Sequence, residues 1–355
     1  MELLGNHTDY NDGYVISVAL DMNILMAGGR SDSREANVFS GDFSEICTFD
    51  THSPDKDGTW ADYVKGVVFQ LQKRSIPVQG FDAAVSSTLP VGIGLSSSAA
   101  LEIAAALLIK SLYPYEMEPF EIAKLCRAAE NEFVGMNCGI LDQFSSMFGR
   151  KDSALYLDCR TGDYEIIPFG TGHIKVVICN SMKTHKLVSS RYNVRREECF
   201  NSARVLGRYN SGVTALRDVT VEMIDNDGGN LGKNERKRAL HVVQENERVL
   251  KGRKALHSGD LHAFGTCMNE SHKSSSRLFK NSTPELDFLQ ETAVSVNGVM
   301  GAKLSGGGFG GCIVALAEDQ AVEPLKKTLY EQYQKKTGIV PDIYCAEISD
   351  GAWAE

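Results

Sequence analysis

The sequence predicts an α+β fold in two domains, and three observations carry that expectation. Strand-like and helix-like stretches interleave without the strand–helix–strand rhythm of a doubly wound parallel sheet. A length of 355 residues exceeds what one hydrophobic core usually serves. Beyond two strands near Tyr156 and Ile174 the pattern turns more helical, which places a boundary near residues 165–175 and domains at 1–170 and 171–355.

The opening MELLGNHTDYNDG reads as a turn-rich polar segment, and Tyr14 to Gly28 as a strand of β-branched and apolar residues. ANVFS and EICTFD are two further short strands. Trp60, Val64, Val67, Val68 and Leu71 recur at helical spacing between Thr59 and Lys73. FDAAVSST is a strand leading into LPVGIGLSSSAALE, which opens an alanine-rich helix. A helix over Pro119–Met136 ends in the loop carrying GILDQF. Further on come the strands LYLDC and IKVVICN, an exposed polar run at Asp225–Lys237, and a long polar-faced helix over Ala239–Leu256. Thr283–Pro284 is a cap-then-proline helix start, with Asn297–Gly298 as its stop. CIVAL is a strand, Val322–Lys336 an amphipathic helix closed by Gly338, and IYCAEIS a last strand.

Composition narrows the function classes. A net charge of -9 argues against a nucleic-acid or anionic-membrane surface. Glu102 interrupts the longest apolar run, and the N-terminus shows no secretory pattern. Nine scattered cysteines without a CxxC pair predict a reducing, cytoplasmic setting. The eight histidines lack HExxH or other metal-ligand spacing.

Four clusters carry the chemistry. In the first, Gly92 and Gly94 precede Leu95 and the serines Ser96, Ser97 and Ser98, where a helix begins. Orphan amides and the positive end of the helix dipole make such a place suited to phosphate; a serine N-cap on a buried helix is the plainer reading. The second, LSGGGFGGC, satisfies G-x-G-x-x-G at Gly306, Gly308 and Gly311. It runs into a strand instead of opening a helix, so the dinucleotide reading fails; a loop abutting the phosphate site, or a glycine-rich turn, remains. No Walker A motif occurs. In the third, Glu130 lies on a helical face with Ala128, Ala129 and Phe133, where a carboxylate needs a donor, cation or metal unless it sits at the surface edge. Asp142 in CGILDQF either caps the next turn or accepts a proton from a substrate hydroxyl. The fourth groups Asn6, His7 and Asp9 in one loop, either satisfying their own backbone or gripping sugar hydroxyls. Tyr192 is uninformative by itself, and Trp60 on its apolar face reads first as core.

Taken together, these stretches resemble the galactokinases, a branch of the GHMP small-molecule kinases. LLGNHTDYNDGYV is similar to the galactokinase signature, LPVGIGLSSSAALE to the family's phosphate-binding motif, and LSGGGFGGC to its third, glycine-rich motif. CGILDQF and SSRYNVRREE match as well, so the resemblance spans the chain in order. It implies an N-terminal domain like ribosomal protein S5 domain 2, with a left-handed crossover. It also implies a ferredoxin-like C-terminal domain and an active site between the two. The implied reaction is ATP- and Mg²⁺-dependent phosphorylation of the anomeric hydroxyl of galactose by a monomer. By the match, Gly92 to Ser98 wrap the triphosphate with Gly307 and Gly308, and Trp60 lies near adenine. Ser98 and Glu130 hold Mg²⁺, Asp142 faces the C1 hydroxyl, and Asn6, His7, Asp9, Gly139 and Tyr192 fall on sugar-contacting positions.

Two departures stand out. Galactokinases carry an arginine that pairs with the catalytic aspartate and phosphate, one position before Met1. That arginine and the family's first strand therefore fall outside the sequence, which we read as a misassigned start or a truncated chain. The glutamate of the family's GEHTD is Asn6 here, which adds a donor and removes the charge that meets the sugar's outer hydroxyls. The rival readings are a GHMP kinase for another galactose-like sugar (arabinose, galacturonate, an amino sugar) and a non-catalytic, sugar-sensing relative.

Overall fold

A computed structural model of the chain describes residues 1–90, 94–170, 174–183 and 188–355. They form two compact units. One is Met1–Val18 with Arg150–Ser349; the other is Ala19–Gly149 with Asp350–Glu355. The division expected at residue 170 thus differs from the observed one, because β7, which precedes that point, pairs with β2 of the chain's opening residues.

The first unit holds two antiparallel sheets. Glu2–Leu4 (β1), Tyr14–Ser17 (β2), Ser153–Asp158 (β7) and Tyr164–Pro168 (β8) pair in that order. Leu3 and Leu4 are fully buried, so the residues expected as a turn-rich segment begin with a strand. The second sheet runs Val299–Leu304 (β10), Cys312–Glu318 (β11), Ile174–Asn180 (β9), Asp342–Ala346 (β12). With β9 as its first strand this is the order 2-3-1-4, the ferredoxin-like arrangement expected for the C-terminal half. Its inward residues Val177, Cys179, Ala302, Leu304, Ile313 and Ala315 pack with Leu286 and Leu289 of Pro284–Val294 (α9) and Leu325, Leu329 and Tyr333 of Val322–Thr337 (α10). Thr283 Oγ1 accepts from Leu286 N as the predicted cap, and Gly338 closes α10 in a left-handed turn. The helix from Pro284 stops at Val294, short of Asn297–Gly298.

The remaining helices of this unit are Val188–Leu206 (α5), Val221–Asp227 (α6), Lys233–His257 (α7) and Leu261–Ser274 (α8). The Asp225–Lys237 run is therefore not a loop. Thr220 caps α6 through Met223 N, and Glu235 of α7 accepts from Gly232 N. Polar composition marked exposure there, not irregularity.

The second unit is a mixed sheet, Ile24–Arg30 (β3), Phe81–Ser87 (β6), Glu35–Ser40 (β4), Glu45–Asp50 (β5), with β4 and β6 parallel. The stretch Tyr14–Gly28 is thus two strands, β2 and β3, separated by polar Asp21 and Asn23 and belonging to different units. Asp62–Lys73 (α1), Ser97–Leu112 (α2), Pro119–Ala128 (α3) and Leu141–Phe148 (α4) cover one face of the sheet. Val64, Val67, Val68 and Leu71 are fully buried, as the helical spacing requires. The helix expected to reach Met136 instead widens into a π-type turn over Ala129–Val134 and ends at left-handed Gly135. Among the described residues no helix is long and apolar enough to cross a membrane.

Candidate active site

The second unit gathers the phosphate-side candidates. Gly92 lies outside the described residues. Gly94 and Ser96 are both left-handed, at φ 84° and 59°, so the loop turns sharply into α2 at Ser97. Ser96, in the capping position, makes no side-chain bond to the first turn of α2 among the described residues. The N-cap reading of the serines therefore does not hold, and the orphan amides of this turn keep the character that suits an anion. Leu95 is buried beneath the loop, while Ser96, Ser97 and Ser98 are half-buried.

Ser98 Oγ donates to Glu130 Oε1 at 3.1 Å. The π-type turn sets Glu130 where Gln143 Nε2 reaches its second oxygen at 2.8 Å and the Cys138 thiol at 3.1 Å. Burial raises the Glu130 carboxyl above its ordinary range, against the pull of these donors. Burial also pushes the Cys138 thiol well up, so sulfur here is a donor and not a thiolate ligand. A hydroxyl and a carboxylate, both oxygen, form a hard donor set that fits Mg²⁺ better than a thiophilic ion. Asp142 is half-buried in the first turn of α4, with Ile140 in the capping position, so it does not serve as the cap. Gly139, buried three residues earlier, follows Cys138, whose amide is held by Asn131 Oδ1 at 2.9 Å. Trp60 precedes α1, half-buried, its ring parallel to Phe43 at 6.2 Å and its Nε1 donating to Glu45.

The first unit gathers the sugar-side candidates. His7 is buried and left-handed at φ 63°, a conformation few non-glycine residues adopt. Its ring stacks on Phe279 at 4.4 Å and tilts against Tyr192 of α5 at 5.1 Å. Nδ1 meets Tyr10 Oη at 2.9 Å and Nε2 meets the Gly307 carbonyl at 3.3 Å. That carbonyl can only accept, so Nε2 carries the proton and Nδ1 accepts from the tyrosine. Burial, then the neighbouring His241, hold the His7 pKa down to about 3, so the ring is neutral. Asp9 starts the short 3₁₀ turn Asp9–Asn11 and is half-buried.

The glycine loop packs on the same residues. A Cβ at Gly308 would lie 2.2 Å from the Asn281 carbonyl, and the residue has φ +77°. Gly307 faces the Tyr192 ring, which would lie 3.2 Å from a Cβ there, tighter than ordinary van der Waals contact. The loop is therefore fixed to His7, Tyr192 and Asn281 within the first unit.

Asn6 corrects an expectation. Its side chain is buried and fully satisfied inside the protein. Nδ2 donates to Glu2 at 3.2 Å and to the Gly306 carbonyl at 3.0 Å. Oδ1 accepts from Ser275 at 3.2 Å and Asn281 at 3.0 Å. Four bonds exhaust an amide, so Asn6 locks the two loops together and offers no group to a sugar hydroxyl.

Sequence reasoning missed the residues behind this loop. His241 Nε2 donates to the Asn6 carbonyl at 3.0 Å, and Glu245, four residues on, binds the Gly5 and Asn6 amides. With Arg248 they form a buried polar stripe at helical spacing along α7. That spacing was readable, but in a helix this polar it looks like a solvated face.

Three comparisons bear on the assignment. Residues 1–30 match the galactokinase galactose-binding signature, 62–150 the GHMP kinases N terminal domain, and 253–335 the GHMP kinases C terminal domain. A galactokinase of Roseiflexus sp. (strain RS-1) is 40% identical over 99% of this chain and 90% of its own length. One from Thermotoga petrophila is 39% identical, over 99% and 97%. Lactococcus lactis galactokinase, solved with galactose, superposes with a TM-score of 0.94 at 32% identity, covering 99% of this chain and 92% of that one. The Methanococcus jannaschii mevalonate kinase shares the fold at TM-score 0.69 and 19% identity, over 98% and 96%.

Proposed function

We propose a function from one premise: the chain belongs to the galactokinase family of GHMP kinases. It transfers the γ-phosphoryl group of ATP to the C1 hydroxyl of galactose, giving galactose 1-phosphate and ADP. The Ser98–Glu130 contact carries this reading, because it sets two oxygen donors at the mouth of an uncapped helix N-terminus.

Phosphoryl transfer asks for positioning and charge neutralisation more than covalent help. The loop from Gly92 through Gly94 and Leu95 to Ser96, Ser97 and Ser98 wraps the triphosphate with its amides. Ser98 and Glu130 would hold Mg²⁺, which when bound neutralises phosphate oxygens. Trp60 lies near the adenine. Asp142 accepts the proton of the C1 hydroxyl, or orients that hydroxyl for attack. On the sugar side, His7, Asp9, Gly139 and Tyr192 meet hydroxyls, and the neutral imidazole of His7 keeps its loop in place. Gly307 and Gly308, assigned by their motif to the nucleotide, also hold the sugar loop in register. The protein works as a monomer in the cytoplasm.

The alternatives are weaker. A sensing relative has no need of Ser98, Glu130 and Asp142 together, and Asn6 is turned inward, which removes the main ground for a changed sugar. The test is a coupled ADP assay over galactose, arabinose, galacturonate and galactosamine. Galactose should give the highest kcat/KM; a higher value for any other sugar reassigns the substrate.

A further inference from the structure

Glu102 and Gln143 take no part in the mechanism above, yet both are completely buried beside it. Glu102 lies on α2, one turn beyond Ser98; Gln143 lies on α4, next to Asp142. Gln143 Nε2 donates one hydrogen to Glu130 Oε2 at 2.8 Å and the other to Glu102 Oε2 at 3.0 Å. One amide thus bridges two carboxyl groups.

Two atoms of this bridge are left over. Among the described residues, Glu102 Oε1 and Gln143 Oε1 are buried and have no hydrogen-bond partner. Both are acceptors if Glu102 is ionised, and a buried acceptor left unsatisfied bears the full penalty of its desolvation. A single proton on Glu102 Oε1 serves both, since it lets the acid donate to the amide that already donates to it. The titratable groups around Glu102 come from every neighbouring element: Tyr63 on α1, Cys126 on α3, Glu130 on the π-type turn, Cys138 in the loop, and Asp142 on α4. None of these carries positive charge, and two carboxylates sharing one amide cannot both ionise cheaply.

We propose that Glu102 is a positioning residue: as a neutral carboxylic acid it forms a reciprocal acid–amide pair with Gln143 and so fixes the Glu130 carboxylate that faces Ser98. Burial and the charge of Glu130 push the Glu102 carboxyl well above the usual range, in agreement. The role rests on the kinase reading, because what Glu102 positions is the carboxylate assigned to Mg²⁺. A glutamine at 102 would reproduce the pair, donating from its own amide nitrogen, whereas a leucine would leave Gln143 free to turn.

The experiment measures how much Mg²⁺ is needed for half-maximal thermal protection by a non-hydrolysable ATP analogue, in wild type, Glu102→Gln and Glu102→Leu. Infrared difference spectra of wild type minus Glu102→Gln at pH 7 accompany it. The Glu102→Gln midpoint should match wild type. That of Glu102→Leu should rise about tenfold, the usual cost of losing a group that orients a metal ligand. The spectrum should show a carboxylic-acid carbonyl band present only in wild type. A Glu102→Gln midpoint displaced as far as that of Glu102→Leu, an unshifted Glu102→Leu, or a missing acid band would each overturn the proposal. If Glu102→Leu does not fold, Glu102→Gln and the infrared band decide alone. If wild type shows no Mg²⁺-dependent protection, the kinase reading fails, while the band still tests the acid–amide pair.

Discussion

Glu245 on α7 accepts hydrogen bonds from the backbone amides of Gly5 and Asn6, at 3.1 and 3.2 Å, across some 240 residues of sequence. Its oxygens also take the Ser271 hydroxyl and Arg248 Nε. Burial pushes this carboxyl up, but Arg248, His241 and Lys303 outweigh it and hold the pKa down to about 2. Glu245→Gln strands the buried Arg248 and should cost about 3 kcal/mol of stability, read from urea unfolding. The KM for galactose should rise as the His7 loop loosens. An unfolding free energy equal to wild type would show that the loop is held by other means.

The two buried histidines set a pH dependence. His7 has a pKa of about 3 and His241 about 4, both depressed chiefly by burial from an unfolded value of 6.5. A histidine depressed in the folded state stabilises fully above 6.5. Its contribution is lost as pH falls from 6.5 towards the folded pKa, because only the unfolded chain takes up the proton. Other groups titrate in the same range, so the informative quantity is a difference. Between pH 6 and pH 5 the wild type should lose about 1.2 kcal/mol more than His241→Gln does. Parallel stability curves for the two proteins would contradict the neutral assignment.

Ser98→Ala removes one of the two oxygen donors and the hydroxyl that bonds Glu130. It should raise the Mg²⁺ concentration for half-maximal rate at least tenfold, with a smaller change in the KM for galactose. A variant whose Mg²⁺ requirement is unchanged would remove Ser98 from the metal side.

Asp142→Asn keeps the shape of the first turn of α4 and removes the proton acceptor. Turnover should disappear while galactose binding, followed by calorimetry, persists. An unchanged kcat would rule out the base role.

What could be read from the sequence divides along a physical line. Spacing located α1 and α10 because their buried faces repeat at helical period, a threonine cap followed by proline marked the start of α9, and the resemblance of ordered motifs named the family. The helix α5, which carries Tyr192, was not foreseen, since a sequence as charged as RYNVRREE shows no apolar stripe. Nor was the partition of the first eighteen residues, because strand pairing across more than a hundred residues leaves no local mark. Glu102 showed as a lone charge in an apolar run, but its pairing with Gln143 left no mark, because a buried polar pair is defined by what it faces. Asn6 was legible as a departure from the family pattern, but its orientation was not.

The central claim is that this chain moves phosphate from ATP to the anomeric oxygen of galactose. A single turnover with enzyme in excess over γ-labelled ATP, galactose and Mg²⁺ tests it directly. The label should appear in galactose 1-phosphate, identified by its phosphorus–H1 coupling in the NMR spectrum, and the transfer should vanish in Asp142→Asn. Label that remains in ATP, passes to water, or lands on another hydroxyl of the sugar would contradict the account.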